Sequence, residues 1–215
     1  MFKVKLVIFD LDGTLVDAYK AVSASLNFAL NKAELPPLSD QVIKRSVGWG
    51  DRNLVSRFVP AQKVDAVLKI YRQHHKRALK VGTKFLPYAR RMLVDLKSRK
   101  YKLAVASNRP TVYTRIILRY LKVIGLFDCI LCADKVRYGK PAPDLLLEIL
   151  KKLKTRAAEA VYVGDMAIDV QAGRRARIKT VAVMSGSSNR SEISAQRPYK
   201  IIRNLNDLTP LLFQV

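Results

Sequence analysis

The chain has 215 residues, 49% apolar and 27% charged, which suits one ordinary domain with a modest insertion and excludes general disorder. Asp10 and Asp12 break the most hydrophobic stretch, so no membrane span is expected; the absence of a secretory leader pattern, with only two cysteines, points to a cytoplasmic protein. The 40 basic and 17 acidic residues give a net charge of +23, which invites a nucleic-acid partner, but the surplus is spread over the whole chain without a like-charged tail, so a generally basic surface is favoured.

In chain order, Val4 to Phe9 is rich in β-branched residues and predicts a strand ending at Asp10. The next stretch is helical, with Ala21, Leu26, Phe28 and Leu30 among its apolar positions, and stops before Pro36-Pro37. Three further helices are expected at 39–47, 51–59 and 62–79, with Ser39 and Asp51 as N-caps and Gly48-Trp49-Gly50 as a break. From residue 87 the rhythm alternates. A helix from Pro87 leads to a strand at 102–106, followed by helix 110–122, strand 128–132, helix 143–154, strand 160–163, helix 167–176 and strand 180–184. A short strand near Lys200 to Ile202 and a terminal helix close the chain. This alternation argues for an α/β fold, a doubly wound parallel sheet of Rossmann-like type covered on both faces. The early helical block interrupts it and reads as an inserted all-helical cap. The expected division is 1–16 with 84–215 for the core and 17–83 for the cap.

In such a sheet, ligands bind beyond the carboxyl ends of the strands. Those ends carry Asp10-Leu11-Asp12-Gly13-Thr14, Ser107-Asn108, the Lys140-Pro141 loop, and Gly164-Asp165 with Asp169 four residues on. Carboxylates gathered at one edge repel unless a cation sits among them, and hard oxygen ligands point to Mg²⁺.

These four segments, in this order, resemble the motifs of the haloacid dehalogenase superfamily of phosphohydrolases. The resemblance implies that Asp10 attacks phosphorus to form an aspartyl phosphate. Asp12 then protonates the leaving oxygen and activates water. Lys140 neutralises charge, while Thr14, Ser107 and the amide of Asn108 bind phosphoryl oxygens. Asp10, the Asp12 carbonyl and Asp165 hold Mg²⁺, and Asp169 orients Lys140 or a metal-bound water. The presence of Asp12 argues against the dehalogenase and phosphonate-cleaving branches. The segments 14–17, 107–110 and 48–50 look most like phosphoglycolate phosphatases, although Tyr88 stands where those often have glycine.

The expected activity is therefore hydrolysis of a small phosphorylated metabolite. Two alternatives stand beside it: a phosphosugar mutase, whose cap must retain a bisphosphate intermediate, and a basic nucleic-acid-binding protein on a hydrolase fold. Trp49, Gly50, Arg52 and Arg109 are candidates for substrate selection. Arg52 either pairs with a substrate carboxylate, such as that of phosphoglycolate, or lies on the surface at the first turn of its helix. Cys129 and Cys132 share a strand, where positions three apart face opposite ways, so neither a disulfide nor a shared metal is expected. His74-His75 is read as surface or packing.

Overall fold

A computed structural model describes residues 4–213. Strand β1 (Leu6–Phe9) is followed by a two-residue strand β2 (Val16–Asp17) and four helices, α1 (Tyr19–Lys32), α2 (Asp40–Ser46), α3 (Asp51–Ser56) and α4 (Val64–Ala78). A second two-residue strand, β3 (Lys84–Phe85), returns the chain to the core. There follow α5 (Ala89–Ser98), β4 (Lys102–Ser107), α6 (Thr111–Tyr120), β5 (Cys129–Cys132), α7 (Asp144–Lys152), β6 (Ala160–Gly164) and α8 (Ala167–Arg175). The chain closes with β7 (Lys179–Val183), α9 (Arg190–Ser194), β8 (Lys200–Ile202) and α10 (Leu208–Phe213).

Six strands form one parallel sheet in the order β5-β4-β1-β6-β7-β8, with β1 between β4 and β6. Side-chain alternation along β1 sends Val7 and Phe9 to one face and Leu6 and Ile8 to the other. On the first face they meet Met92 and Leu93 of α5, Ile117 of α6 and Leu208 of α10; on the second, Leu145 and Ile149 of α7 and Ala172 of α8. Both faces are thus covered, as an all-parallel sheet requires.

The insertion after β2 is all-helical and packs on its own apolar cluster. Val22, Leu26, Ala29 and Leu30 recur at helical spacing along α1 and meet Ile43, Leu54, Val55, Val67, Leu68 and Tyr71. Ser39 caps α2 by accepting from the Val42 amide, as its sequence position predicts. At α3 the expected cap shifts by one residue: Gly50, at φ 88°, takes the N-cap, and Asp51 is the first helical residue. There Asp51 instead receives Arg72 of α4, Nε to Oδ2 at 2.7 Å and Nη2 to Oδ1 at 3.1 Å.

The insertion joins the core through the antiparallel pair β2–β3, in which Val16 faces Phe85 and Asp17 faces Lys84. Helix α5 starts at Ala89, two residues later than its proline suggests, because Tyr88 before it is left-handed at φ 67°. That conformation is easy for glycine and strained for a tyrosine. No helix of the described residues is long and apolar enough to cross a membrane. Cys129 and Cys132 are both free, the former half-buried and the latter buried.

Candidate active site

The carboxyl ends of β1, β4 and β6 and the loop after β5 converge on one cleft, lined by Asp10, Asp12, Ser107, Asn108, Arg109 and Lys140 from the core side. After β1 the chain turns sharply through Gly13, at φ 80°, whose amide donates to the Val16 carbonyl at 2.8 Å. A Cβ on Gly13 would stand 2.5 Å from Asp165 Oδ2, so only glycine lets this loop close on that carboxylate.

Lys140 is the hub. Its buried ammonium donates to Asp10 Oδ1 at 2.6 Å, Asp169 Oδ1 at 2.8 Å and Tyr162 Oη at 3.1 Å, which accounts for all three of its protons. Burial opposes the charge on Lys140, but the two carboxylates outweigh it and hold its pKa above the ordinary lysine range. Asp169 turns its other oxygen to the amides of Asp165 at 3.1 Å and Met166 at 2.9 Å, and accepts from Tyr162 Oη at 2.7 Å. It is held as an orienting group for Lys140. The Asn108 side chain braces the lysine loop, accepting from Lys140 N at 2.8 Å and donating to Lys140 O at 2.9 Å. The same amide donates to Gly48 O at 2.9 Å across the boundary with the insertion.

Asp165 is buried, accepting from Thr14 Oγ1 at 3.0 Å and from Ser187 N at 3.1 Å. Thr14 was expected among the phosphate-binding groups. Its fully buried hydroxyl holds Asp165 instead, and the residue does not line the cleft. Asp10, Asp165 and Asp169 each present an oxygen within 4.8 Å of the others. Burial, with repulsion from the neighbouring carboxylates, raises Asp10 to about 7 against the pull of Lys140, and raises Asp165 as well. Anions confined in this way fit a hard divalent cation, with Asp10, Asp165 and Asp169 as the carboxylates close enough to share one.

Asp12 stands at the mouth of the cleft, gripped by Arg109 in a two-pronged ion pair, Nε to Oδ2 at 2.7 Å and Nη2 to Oδ1 at 2.8 Å. The Arg109 amide donates to Ser107 Oγ at 3.1 Å. Nη1 of Arg109 reaches Nε2 of His75, a fully buried residue of α4, at 2.7 Å. An arginine can only donate, so Nε2 must be the bare nitrogen of a neutral ring and Nδ1 carries the hydrogen toward Ser25 Oγ, 3.0 Å away. Ser25 passes its own hydrogen to Ala21 O at 2.7 Å. Desolvation and then Arg109 push the His75 pKa down to about 2.

The sequence reading therefore brought Asp10, Asp12, Ser107, Asn108, Lys140, Asp165 and Asp169 to one place, and it named Arg109 without its partner. Gly50 lines the cleft, whereas Trp49, 38% exposed, does not. Arg52 also lies outside the lining and pairs with Asp65 on the exposed surface. Tyr162 and Tyr19, a cleft-lining residue at the start of α1, carried no sequence expectation, and His75, read as surface or packing, is buried between Tyr71 and Tyr113. Only the alternation along β6 could have placed Tyr162, since it puts positions 160, 162 and 164 on one face.

The family model for haloacid dehalogenase-like hydrolases matches residues 7–183. Among curated proteins the chain is 30% identical over 207 residues to the phosphoglycolate phosphatase of Aquifex aeolicus, covering 94% of this chain and 97% of that one. It is 26% identical over 230 residues to the phosphoglycolate phosphatase of Escherichia coli K12, covering 96% and 91%. Among solved structures, a predicted phosphoglycolate phosphatase from Haemophilus somnus superposes with a TM-score of 0.92 at 24% identity over 98% of this chain and 99% of that one, a likeness of fold. The chain belongs to the haloacid dehalogenase-like hydrolases and is an enzyme of that family, similar to its phosphoglycolate phosphatases.

Proposed function

We propose that the protein is a Mg²⁺-dependent phosphatase that hydrolyses a small phosphate monoester through an aspartyl phosphate on Asp10, in the cytoplasm. The observation that carries this reading is the shared cleft in which Asp10, Asp12, Ser107 and Lys140 face one space. Asp10 is the nucleophile, and its carboxylate splits one difficult displacement into two. Lys140 offsets negative charge on the phosphoryl oxygens, with Ser107 Oγ and the Asn108 amide as further donors. Asp12, held as a carboxylate by Arg109 here, must take up a proton from solvent before it gives one to the leaving oxygen, and later takes one from the attacking water. Mg²⁺ held by Asp10, Asp165 and the Asp12 carbonyl would supply electrostatic stabilisation of the phosphoryl group. Residues 17–83 act as the lid that excludes water.

The names of the relatives make phosphoglycolate one substrate to test. The decisive experiment is a phosphate-ester panel assayed with Mg²⁺ and with chelator. Release of phosphate that needs Mg²⁺ and disappears in Asp10→Asn supports the reading. Turnover in excess chelator refutes the metal, and activity appearing only with a sugar bisphosphate points to the mutase chemistry.

A further inference from the structure

Beyond its charged groups the cleft is lined by apolar and aromatic residues, among them Val22, Val47, Leu54, Tyr71 and Tyr113. Tyr71 and Tyr113 are each only 2% exposed. The Tyr71 ring stacks on His75 at 4.8 Å between centroids, and His75 meets Tyr113 edge-on at 5.1 Å. This aromatic wall is therefore fixed before any ligand arrives.

Charge decides what the wall accepts. Among the described residues, the cations lining the cleft are Lys140 and Arg109, and both are already matched. Lys140 serves Asp10 and Asp169, and Arg109 serves Asp12 while its remaining amino group turns to His75. The charged residue that α3 adds to the lining is an anion, Asp51, closed off by Arg72. Arg52, the one cation of α3, points to Asp65 outside the cleft. A carboxylate on the leaving group would meet apolar walls with no unmatched cation, and an unpaired charge in such surroundings is strongly disfavoured.

We propose that the leaving group of the substrate is an uncharged, predominantly apolar, ring-bearing alcohol, selected by the Tyr71–Tyr113 wall with Val47 and Leu54. This rests on the phosphatase reading above and narrows it. Discrimination comes from both halves of the argument: a ring fills the apolar side, and a carboxylate loses its hydration there without a partner.

The test compares kcat/KM for benzyl phosphate and phosphoglycolate, both esters of primary alcohols, with p-nitrophenyl phosphate as the control for the chemistry. Benzyl phosphate should exceed phosphoglycolate by tenfold or more, on the order of one missing ion-pair partner. Val47→Arg, which puts an unmatched cation beside the wall, should reverse the order by lowering benzyl phosphate and raising phosphoglycolate. Phosphoglycolate equal to or better than benzyl phosphate in the wild type overturns the proposal whatever the variant does. If p-nitrophenyl phosphate is hydrolysed but benzyl phosphate is not preferred, the proposal fails and the phosphatase reading stands. If no ester is hydrolysed, both fall together.

Discussion

Arg109 donates to Nε2 of His75 at 2.7 Å, so a buried histidine and an arginine are neighbours only because the histidine is neutral. The contact ties helix α4 of the cap to the residue that grips Asp12. Asp12, the proposed acid–base carboxylate, is thereby placed by a chain that runs through Arg109, His75 and Ser25 to the carbonyl of Ala21.

Arg109→Lys tests the grip. A lysine keeps the charge but replaces a planar fork by a single point donor, so Asp12 loses its fixed orientation. Hydrogen bonds to charged groups contribute about 1.5–3 kcal/mol, which corresponds to a fall in kcat of roughly 10- to 150-fold. Steady-state kinetics on p-nitrophenyl phosphate should show it. A loss below twofold would mean that Asp12 keeps its place unaided.

His75 makes stability depend on pH in a defined direction. Its folded pKa is lowered to about 2 from an ordinary 6.5, so the unfolded chain takes up a proton first as the solution is acidified. The stabilisation is complete above pH 6.5 and is lost as pH falls below it, by about 1.4 kcal/mol per pH unit. His75→Gln keeps an acceptor for Arg109 and removes the titration. Denaturant melts at several pH values should show the advantage of wild type over this variant shrinking at that rate below 6.5. A constant difference would show that His75 titrates in the fold as it does in the unfolded chain.

Asp10→Asn separates charge from chemistry. The amide cannot form the phosphoenzyme, so turnover should drop below about 1% of wild type. Burial and the neighbouring carboxylates raise the pKa of Asp10, so its charge strains the metal-free fold. Neutralising it should raise the melting temperature in chelator by about 2–4 °C per kcal/mol relieved. Mg²⁺ should then stabilise wild type and leave the variant nearly unmoved. Equal shifts in both proteins would place the metal elsewhere.

Asn108→Ala should cost about 2–4 kcal/mol, because it orphans the amide and carbonyl of Lys140 in a buried loop, with further loss at Gly48. Denaturant titration measures this directly. A cost below about 1 kcal/mol would mean that water replaces the side chain.

The sequence was most legible where local pattern and position coincide. Strand β1 and the residues at its end could be placed because a β-branched run stops abruptly at Asp10, and sheet geometry directs such ends to the ligand. Two-residue strands have no periodicity to detect, so β2 and β3 escaped notice. The role of His75 gave no signal, since its partner lies 34 positions away in the loop after β4 and nothing local distinguishes it from His74. Of the two readings of Arg52, the helical period favours the surface one. Two helical positions separate it from the inward-facing Leu54, about 200° around the axis, which sends Arg52 to the opposite side. Asp51 failed as an N-cap because the left-handed turn before α3 demanded glycine at the preceding position.

The pairing of Asp17 with Lys84 brings both ends of the helical insertion to one point on the core. Seen from the sheet, the whole of the intervening chain occupies the place of a tight hairpin. Grafting is therefore open to this scaffold: a short Asn-Gly turn joining β2 to β3 would span the gap, and helical lids of other lengths could be exchanged there without re-routing any of the six parallel strands. Loop-closure entropy rises only slowly with length, so a large lid burdens the core little more than a small one.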